Sequence, residues 1–347
     1  MKKYTLLISG GIGKHIIATT LLRYIKEKEP DARINVISGY PHVFLNNPNV
    51  YRNLHHMTSY VFDDYIKDTD LRVGDPYNLV EFYKDMKHLS EVYPKAYRFE
   101  GASTNIYPEI YLLPYEIKEA QQLCSKSPKP IITLQNIGGN QQTHQMKDPK
   151  ELTGRDLLGA ASQKIVDIAN EMGFNVIHVR LPHESPLKNV MFFNNMPFRK
   201  YLALLPNIVG HIGIDSSMMH AVAAFKKPAL IFWGSTNVNN LGYPHMTNVH
   251  RDKCKNPMCA RPHCGIPDQV PEGGWICPEG KICQKWTDEE IEEHVRKFLT
   301  TIKEENSKIT RIPLSKPASN INTKKRDNNN ASKTNNVVDA EILAPSK

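Results

Sequence analysis

The chain has 347 residues, of which 40% are hydrophobic and 23% charged. That composition excludes a wholly disordered, collagen-like or coiled-coil protein, and at about 150 residues per domain it predicts two domains. No apolar stretch reaches the roughly 20 residues that cross a bilayer, and the first strand is too short for a signal-peptide core, so the expected location is cytoplasmic. The formal net charge of +8 favours polyanionic company such as nucleic acid, phosphorylated glycans or anionic headgroups.

Tyr4 to Ser9 is a short apolar run, Gly10-Gly11-Ile12-Gly13 a turn, and Ile16, Ile17, Thr20, Leu21, Tyr24 and Ile25 recur at helical spacing. Pro30-Asp31 stops that helix, and Arg33 to Ile37 reads as the next buried strand, completing a βαβ unit. From Gly39 to about Ser127 the chain is rich in Tyr, His, Asn and Pro and gives few signals. A new unit opens at Pro128, with a strand over 131–135 and a loop over 136–140. A helix over 157–172 follows, closed by Gly173, and then a strand over 175–180. The alternation continues with a helix over 198–205, a strand over 208–214, a helix over 216–225 and a strand over 228–233.

This pattern predicts two Rossmann-like α/β domains facing one another across a cleft, over 1–127 and 128–286, with a cysteine-rich segment over 254–283 in the second. A terminal helix is expected over 287–304, with Ile291, Val295, Phe298 and Leu299 on one side. The remainder, 305–347, is rich in Ser, Asn, Thr and Lys and reads as disordered. Lys303 to Lys347 carries nine Lys or Arg against five Asp or Glu, a surplus of four of the eight net charges, and solvation of the tail is its plain reading.

The turn holding Gly11, Gly13, Lys14 and His15 is neither a Walker loop nor a dinucleotide fingerprint, because the required glycines and the Ser or Thr after the lysine are missing. What remains is a glycine turn feeding a helix N-terminus, where a ligand can approach backbone N–H groups. A stronger constellation is Asp215-Ser216-Ser217-Met218-Met219-His220 followed by Lys227-Pro228 and Trp233-Gly234-Ser235-Thr236. It gathers a carboxylate, hydroxyls, free N–H groups and an imidazole at the end of a strand, where open α/β sheets bind ligands. The alternative is that Asp215 or Ser216 only caps the helix and His220 is a satisfied core histidine.

Together, the glycine turn, the Asp-Ser-Ser-x-x-His helix, the Lys-Pro strand and the Trp-Gly-Ser turn resemble glycosyltransferase family 9, the heptosyltransferase-like enzymes, from about Lys3 to Lys303. The resemblance implies a GT-B fold and an inverting sugar transfer that needs no catalytic metal. The N-terminal domain would take the acceptor and the C-terminal domain a nucleotide-sugar. Asp215, Ser216, Ser217 and His220 would line the donor, faced by Gly138, Gly139 and Asn140, with Gly234, Ser235 and Thr236 closing the pocket.

Two positions depart from the family pattern. Lys14 stands where an aspartate usually serves as base, and Ser217 where glycine is common. The catalytic residues expected here are therefore His15 as base, with Lys14 beside it or binding phosphate. The implied acceptor is lipopolysaccharide or another surface glycan, reached by peripheral membrane contact. A second reading is glycosylation of hydroxymethylated bases in DNA, and a third is a catalytically degenerate module that binds nucleotide-sugar or glycan. Five of the six cysteines fall between Cys254 and Cys283. Cys254, Cys259, Cys264 and Cys277 have the number and softness for a structural zinc, although their spacing is looser than paired C-x2-C and reduced packing cysteines are the competing reading.

Overall fold

The structure, a computed structural model, describes residues 1–55, 65–138, 155–157, 159–180, 184, 186–193, 195–251 and 282–310. Two parallel sheets organise them. The first contains β1 (Lys3–Ile8), β2 (Arg33–Ser38), β3 (Arg52–His55) and β4 (Asp70–Val73) in the order β3-β2-β1-β4. Its connections include α1 (Ile12–Lys28), and beyond β4 come α2 (Val80–Tyr83), α3 (Leu89–Ala96) and α4 (Pro114–Cys124). The second sheet contains β5 (Ile131–Gln135), β6 (Asn175–His178), β7 (Gly210–Ile214), β8 (Ala229–Phe232) and β9 (Thr247–Val249) in the order β6-β5-β7-β8-β9. Its helices are α5 (Gly159–Glu171), α6 (Phe198–Leu204), α7 (Ser217–Ala224), α8 (Val238–Leu241) and the terminal α9 (Asp288–Thr310).

The inner strands β5, β7 and β8 of the second sheet are buried on both faces, as a parallel sheet covered on both sides requires. Along β8, Ala229 and Ile231 join one core while Leu230 and Phe232 join the other. The second core is completed by Ile165 and Ala169 of α5 and by Ile291, Val295, Phe298, Leu299 and Ile302 of α9. The first core is shared: Leu6, Ile8, Ile16 and Leu21 from the first sheet and α1 form one cluster with Met218, Met219 and Val222 of α7. α7 is thus apolar on nearly all sides because it is wedged between its own sheet and α1.

The structure gives several elements that carried no sequence signal. β3 and β4 are four-residue strands flanking the central pair, and Arg52, Asp70, Leu71 and Val73 are exposed on them, so neither shows a clean apolar period. The terminal helix runs to Thr310, past the expected end at 304 and into the segment read as disordered. Ile302 is its last buried residue up to Asn306, and the extra turns follow from propagation, in which each added residue gains a hydrogen bond without a new nucleus. The rest of that segment, 311–347, lies outside the described residues. Among the described residues no helix is long and apolar enough to cross a membrane.

Candidate functional site

Ligands of open parallel sheets sit at the carboxyl ends of the strands where the strand order reverses. In the first sheet the chain proceeds outward from β1 to β2 and β3 and then returns to β4 on the other side of β1, so the reversal lies between β1 and β4. In the second sheet the corresponding point lies between β5 and β7. Both reversal points carry the polar residues described next, and α1 and α7 bring them together.

At the first, β1 ends in the turn Ser9-Gly10-Gly11. Gly10 has φ +95°, and a Cβ there would lie 2.7 Å from Lys14 Cδ, so only glycine makes this turn over the lysine. Gly11 is the residue before α1, and no side chain caps the helix, which leaves first-turn N–H groups open. Lys14 is buried; its Nζ lies 2.8 Å from Asp75 Oδ1 and 4.6 Å from the centre of the Tyr77 ring. Asp75 follows β4, and its carboxylate also accepts the Tyr77 N–H at 3.1 Å. Gly74 before it allows the chain to pass the Ala96 carbonyl, which would lie 2.2 Å from a Cβ. The Asp75 side chain keeps 35% of its surface, against 7% for Lys14, so the carboxylate is the accessible member of the pair.

His15 takes a different direction. It is fully buried, with Nδ1 2.9 Å from the Gly11 carbonyl and Nε2 3.1 Å from the Ile8 carbonyl, and its ring meets Tyr40 edge-on. Burial pushes its pKa down to about 4, against the raising effect of the two carbonyls. Both nitrogens therefore face the protein's own backbone, and the ring joins α1 to its strand and turn. Lys14, Gly11 and Gly13 come to the reversal point; His15 lies behind it.

At the second reversal point, Asp215 leads into α7. Ser216 is the residue before the helix, in extended conformation, and its hydroxyl donates to Gln135 Oε1 at the end of β5 and does not cap the helix. Asp215 is 2% exposed; Oδ1 lies 3.9 Å from His220 Nε2, and Oδ2 lies 3.5 Å from Arg155 Nη1 with no hydrogen-bond donor among the described residues. Arg155 also donates to the Asp215 carbonyl at 3.3 Å. Gly138 donates its N–H to Asp156 Oδ1 at 2.7 Å, and a Cβ on Gly138 would lie 3.7 Å from the Asp215 carbonyl. Ser235 and Thr236, just beyond β8, are buried, and their hydroxyls have no partner among the described residues. Such groups cost free energy unless something supplies their hydrogen bonds.

His220 is the hinge between the two points. Its Nδ1 lies 3.0 Å from the Tyr243 hydroxyl, and a Cβ on Gly13 would come within 3.0 Å of its Cδ2 and 3.6 Å of Ser217 Cα. Gly13 is thus the contact that lets α1 close on α7. Burial takes the His220 pKa down to about 4, with Asp215 opposing and Arg155 reinforcing the shift, so the ring is neutral at pH 7. Tyr77 is half-buried, and after desolvation the charge of Asp215 is what most raises its pKa, with Asp75 adding to it. One ring therefore feels the carboxylates of both reversal points. Asn240 fastens the closure by donating to the Phe82 and Lys87 carbonyls at 2.7 and 2.9 Å.

Several expected residues are thus assembled: Lys14, Gly11 and Gly13 meet Asp215, Ser216, Ser217, His220 and Gly138, with Gly234, Ser235 and Thr236 at the end of the neighbouring strand β8. Gly139, Asn140, Cys254, Cys259, Cys264 and Cys277 lie outside the described residues. Among the described residues no three His, Cys, Asp or Glu side chains are grouped to hold a metal ion, and Cys283 is buried. Sequence reading missed Asp75, Tyr77, Arg155 and Tyr243. Only Asp75 had a local signal, the turn Gly74-Asp75-Pro76; the others are placed by long-range packing.

By sequence, the chain matches no protein-family model and no curated protein. Solved structures share its fold at low identity. The Escherichia coli ADP-heptose lipopolysaccharide heptosyltransferase II is 12% identical with TM-score 0.59, covering 87% of this chain and 100% of that one. A glycosyl transferase family 9 protein from Veillonella parvula is 14% identical with TM-score 0.61, covering 86% and 98%. The iron-containing dodecameric glycosyltransferase TibC from enterotoxigenic E. coli is 9% identical with TM-score 0.60, covering 87% and 80%. The likeness shows a shared fold, the GT-B arrangement of two parallel α/β sheets.

Proposed function

We propose that the protein is a cytoplasmic glycosyltransferase that moves a sugar from a nucleotide-sugar to an acceptor hydroxyl with inversion. The observation that carries this reading is the convergence of two uncapped helix N-termini, those of α1 and α7, with Lys14 and Arg155 on facing reversal points. Helix N-termini and fixed cations stabilise an anion such as a departing nucleoside diphosphate. The unpartnered Ser235 and Thr236 hydroxyls supply further hydrogen bonds for the donor.

We assign the base to Asp75 in place of His15. The accessible carboxylate at the β1/β4 reversal point stands beside the lysine that occupies the usual aspartate position. In the proposed step the Asp75 carboxylate takes the acceptor hydroxyl proton as that oxygen bonds to the anomeric carbon. The bond from that carbon to the diphosphate oxygen breaks, and its electron pair leaves on the nucleoside diphosphate. Lys14 holds the carboxylate in place. Neutral His220, fixed by Tyr243, shapes the wall between donor and acceptor.

The acceptor we propose is a surface glycan of lipopolysaccharide type, presented at the membrane face to a basic protein. The four cysteines, Cys254, Cys259, Cys264 and Cys277, are proposed as a structural thiolate site for zinc or iron, the metals suited to four soft sulfur ligands. Metal analysis with an absorption spectrum separates the two, and less than stoichiometric metal removes the site.

A thermal-shift screen of nucleoside diphosphates and their sugars tests the main reading. Stabilisation by one nucleotide and its sugar, lost in Asp215→Ala, supports a donor site. No shift with any at saturation overturns the transferase and leaves a glycan-binding module.

A further inference from the structure

A second polar cavity opens at the amino ends of the strands in the first sheet. It measures about 210 Å³ and is lined by Lys3, Arg33, Asn35, Arg52, Asp68 and Thr69, with Tyr51 and Tyr65 beside them. Lys3, Arg33 and Arg52 begin β1, β2 and β3, whereas the glycine turn follows the other end of β1. Six residues of extended chain separate the two places by about 20 Å. The cavity is therefore not an extension of the cleft.

Among the described residues its lining sets three cations, Lys3, Arg33 and Arg52, against one carboxylate, Asp68. Among the described residues neither Lys3 nor Arg33 has a carboxylate partner. The Arg33 guanidinium lies 4.7 Å from the centre of the Tyr51 ring, and that of Arg52 lies 5.4 Å from Tyr51 and 5.1 Å from Tyr65. Contact with the aromatic rings restrains the guanidinium groups, whose N–H forks match phosphate oxygens.

The floor carries an independent signal. Asn35 stands in β2, paired in register with Thr5 of β1, and is only 6% exposed. Its Nδ2 donates to Thr5 Oγ1 at 3.2 Å and to the Tyr65 carbonyl at 3.3 Å, while Oδ1 is buried without a donor among the described residues. Thr69 Oγ1 locks the same cluster, 2.8 Å from Thr5 Oγ1 and 2.9 Å from the Ile66 carbonyl. A buried amide half-satisfied inside a parallel sheet is costly, and what it lacks is a hydrogen donor, which the dianionic phosphate group of a monoester does not itself provide.

We propose that this cavity binds a phosphate ester that also carries free hydroxyls. Lys3 and Arg33 take the phosphate, and a ligand hydroxyl donates to Asn35 Oδ1. Sugar phosphates and the headgroup of phosphatidylglycerol share this chemistry. The proposal stands apart from the transferase reading, because neither the residues nor the position belongs to the cleft.

Calorimetric titration with glucose 6-phosphate, inorganic phosphate and glucose tests it on the full chain, alongside flotation with phosphatidylglycerol or pure phosphatidylcholine vesicles. Glucose 6-phosphate is expected to bind more tightly than phosphate or glucose. Arg33→Gln, an exposed site that should fold normally, is expected to weaken it about tenfold. Asn35→Leu, at unchanged melting temperature, should bring glucose 6-phosphate down to the affinity of inorganic phosphate. Arg33-dependent binding to phosphatidylglycerol vesicles alone supports the same site and identifies its source as a headgroup. Absence of binding to either probe, or binding unchanged in a Lys3→Gln, Arg33→Gln double variant, overturns the proposal. An ADP control in that double variant reports the cleft separately.

Discussion

The two sides of the cleft begin alike and end differently. On each, a parallel strand runs into a short turn and then into a helix whose first N–H groups have no side-chain cap. Each helix also carries a buried histidine near its start, with a pKa lowered to about 4 by burial. His220 meets Gly13 across the cleft, beside Asp215 and Tyr243 of its own half, while His15 looks back at the carbonyls of Ile8 and Gly11. The difference is one of rotation. The face of a helix that meets the opposite domain offers its side chains to the site, and the face that meets its own sheet spends them on packing.

The largest expected effect separates the carboxylates of the two sides. Asp75→Asn should lower turnover by about 10²- to 10⁴-fold while leaving donor-induced thermal stabilisation intact. Asp215→Ala should abolish that stabilisation. If Asp75→Asn retains full turnover, the assignment of the base fails even where the donor site stands.

Next come the glycines that set the approach of α1 to α7. Gly13→Val should cost about 1–3 kcal/mol in denaturant unfolding, because even its Cβ would press on His220. Gly11→Ala meets nothing within 4 Å and should cost a few tenths of a kcal/mol. Equal costs would show that α1 does not close on α7 in solution.

The histidines sharpen the contrast. His15→Ala should destabilise by about 1–3 kcal/mol through lost packing and an unpaired carbonyl, with turnover per folded molecule preserved. Abolished turnover at wild-type stability would restore His15 to the chemistry. Smaller still is the pH effect of each ring. His15 and His220 have pKa values lowered to about 4 from an ordinary 6.5, so the unfolded chain binds the extra protons. Their contribution is complete above about pH 6.5 and is lost as pH falls toward 4, by at most about 1.4 kcal/mol per pH unit per ring. Melting temperatures at pH 7.5 and 5.5 test this, and an unchanged value would mean that these rings are not buried neutral.

Much of the architecture was legible because strand and helix periods repeat locally in the apolar residues. β1, α1, β2, β5, β7, α7 and β8 could each be read from neighbours a few positions apart. The stretch from Gly39 to Ser127 could not, because β3 and β4 are short and α4 packs against α6 of the other half, so their apolar residues answer to distant partners. The same distinction divides the site. Asp215, Ser216, His220, Ser235 and Thr236 occur in one contiguous motif whose chemistry shows in the sequence. Asp75 reaches Lys14 across 61 positions, and Arg155 reaches Asp215 across 60.

By itself the sequence determined the alternation of strands and helices, the glycine turn and the Asp-Ser-Ser-x-x-His helix, since these depend on backbone preferences and short-range periodicity. Only the tertiary structure decided that His15 faces inward, that Asp75 is the carboxylate beside Lys14, and that Gly13 seats α1 against His220. Those outcomes depend on strand order and helix rotation, and both are fixed by the burial of a core that residues far apart in the chain build together.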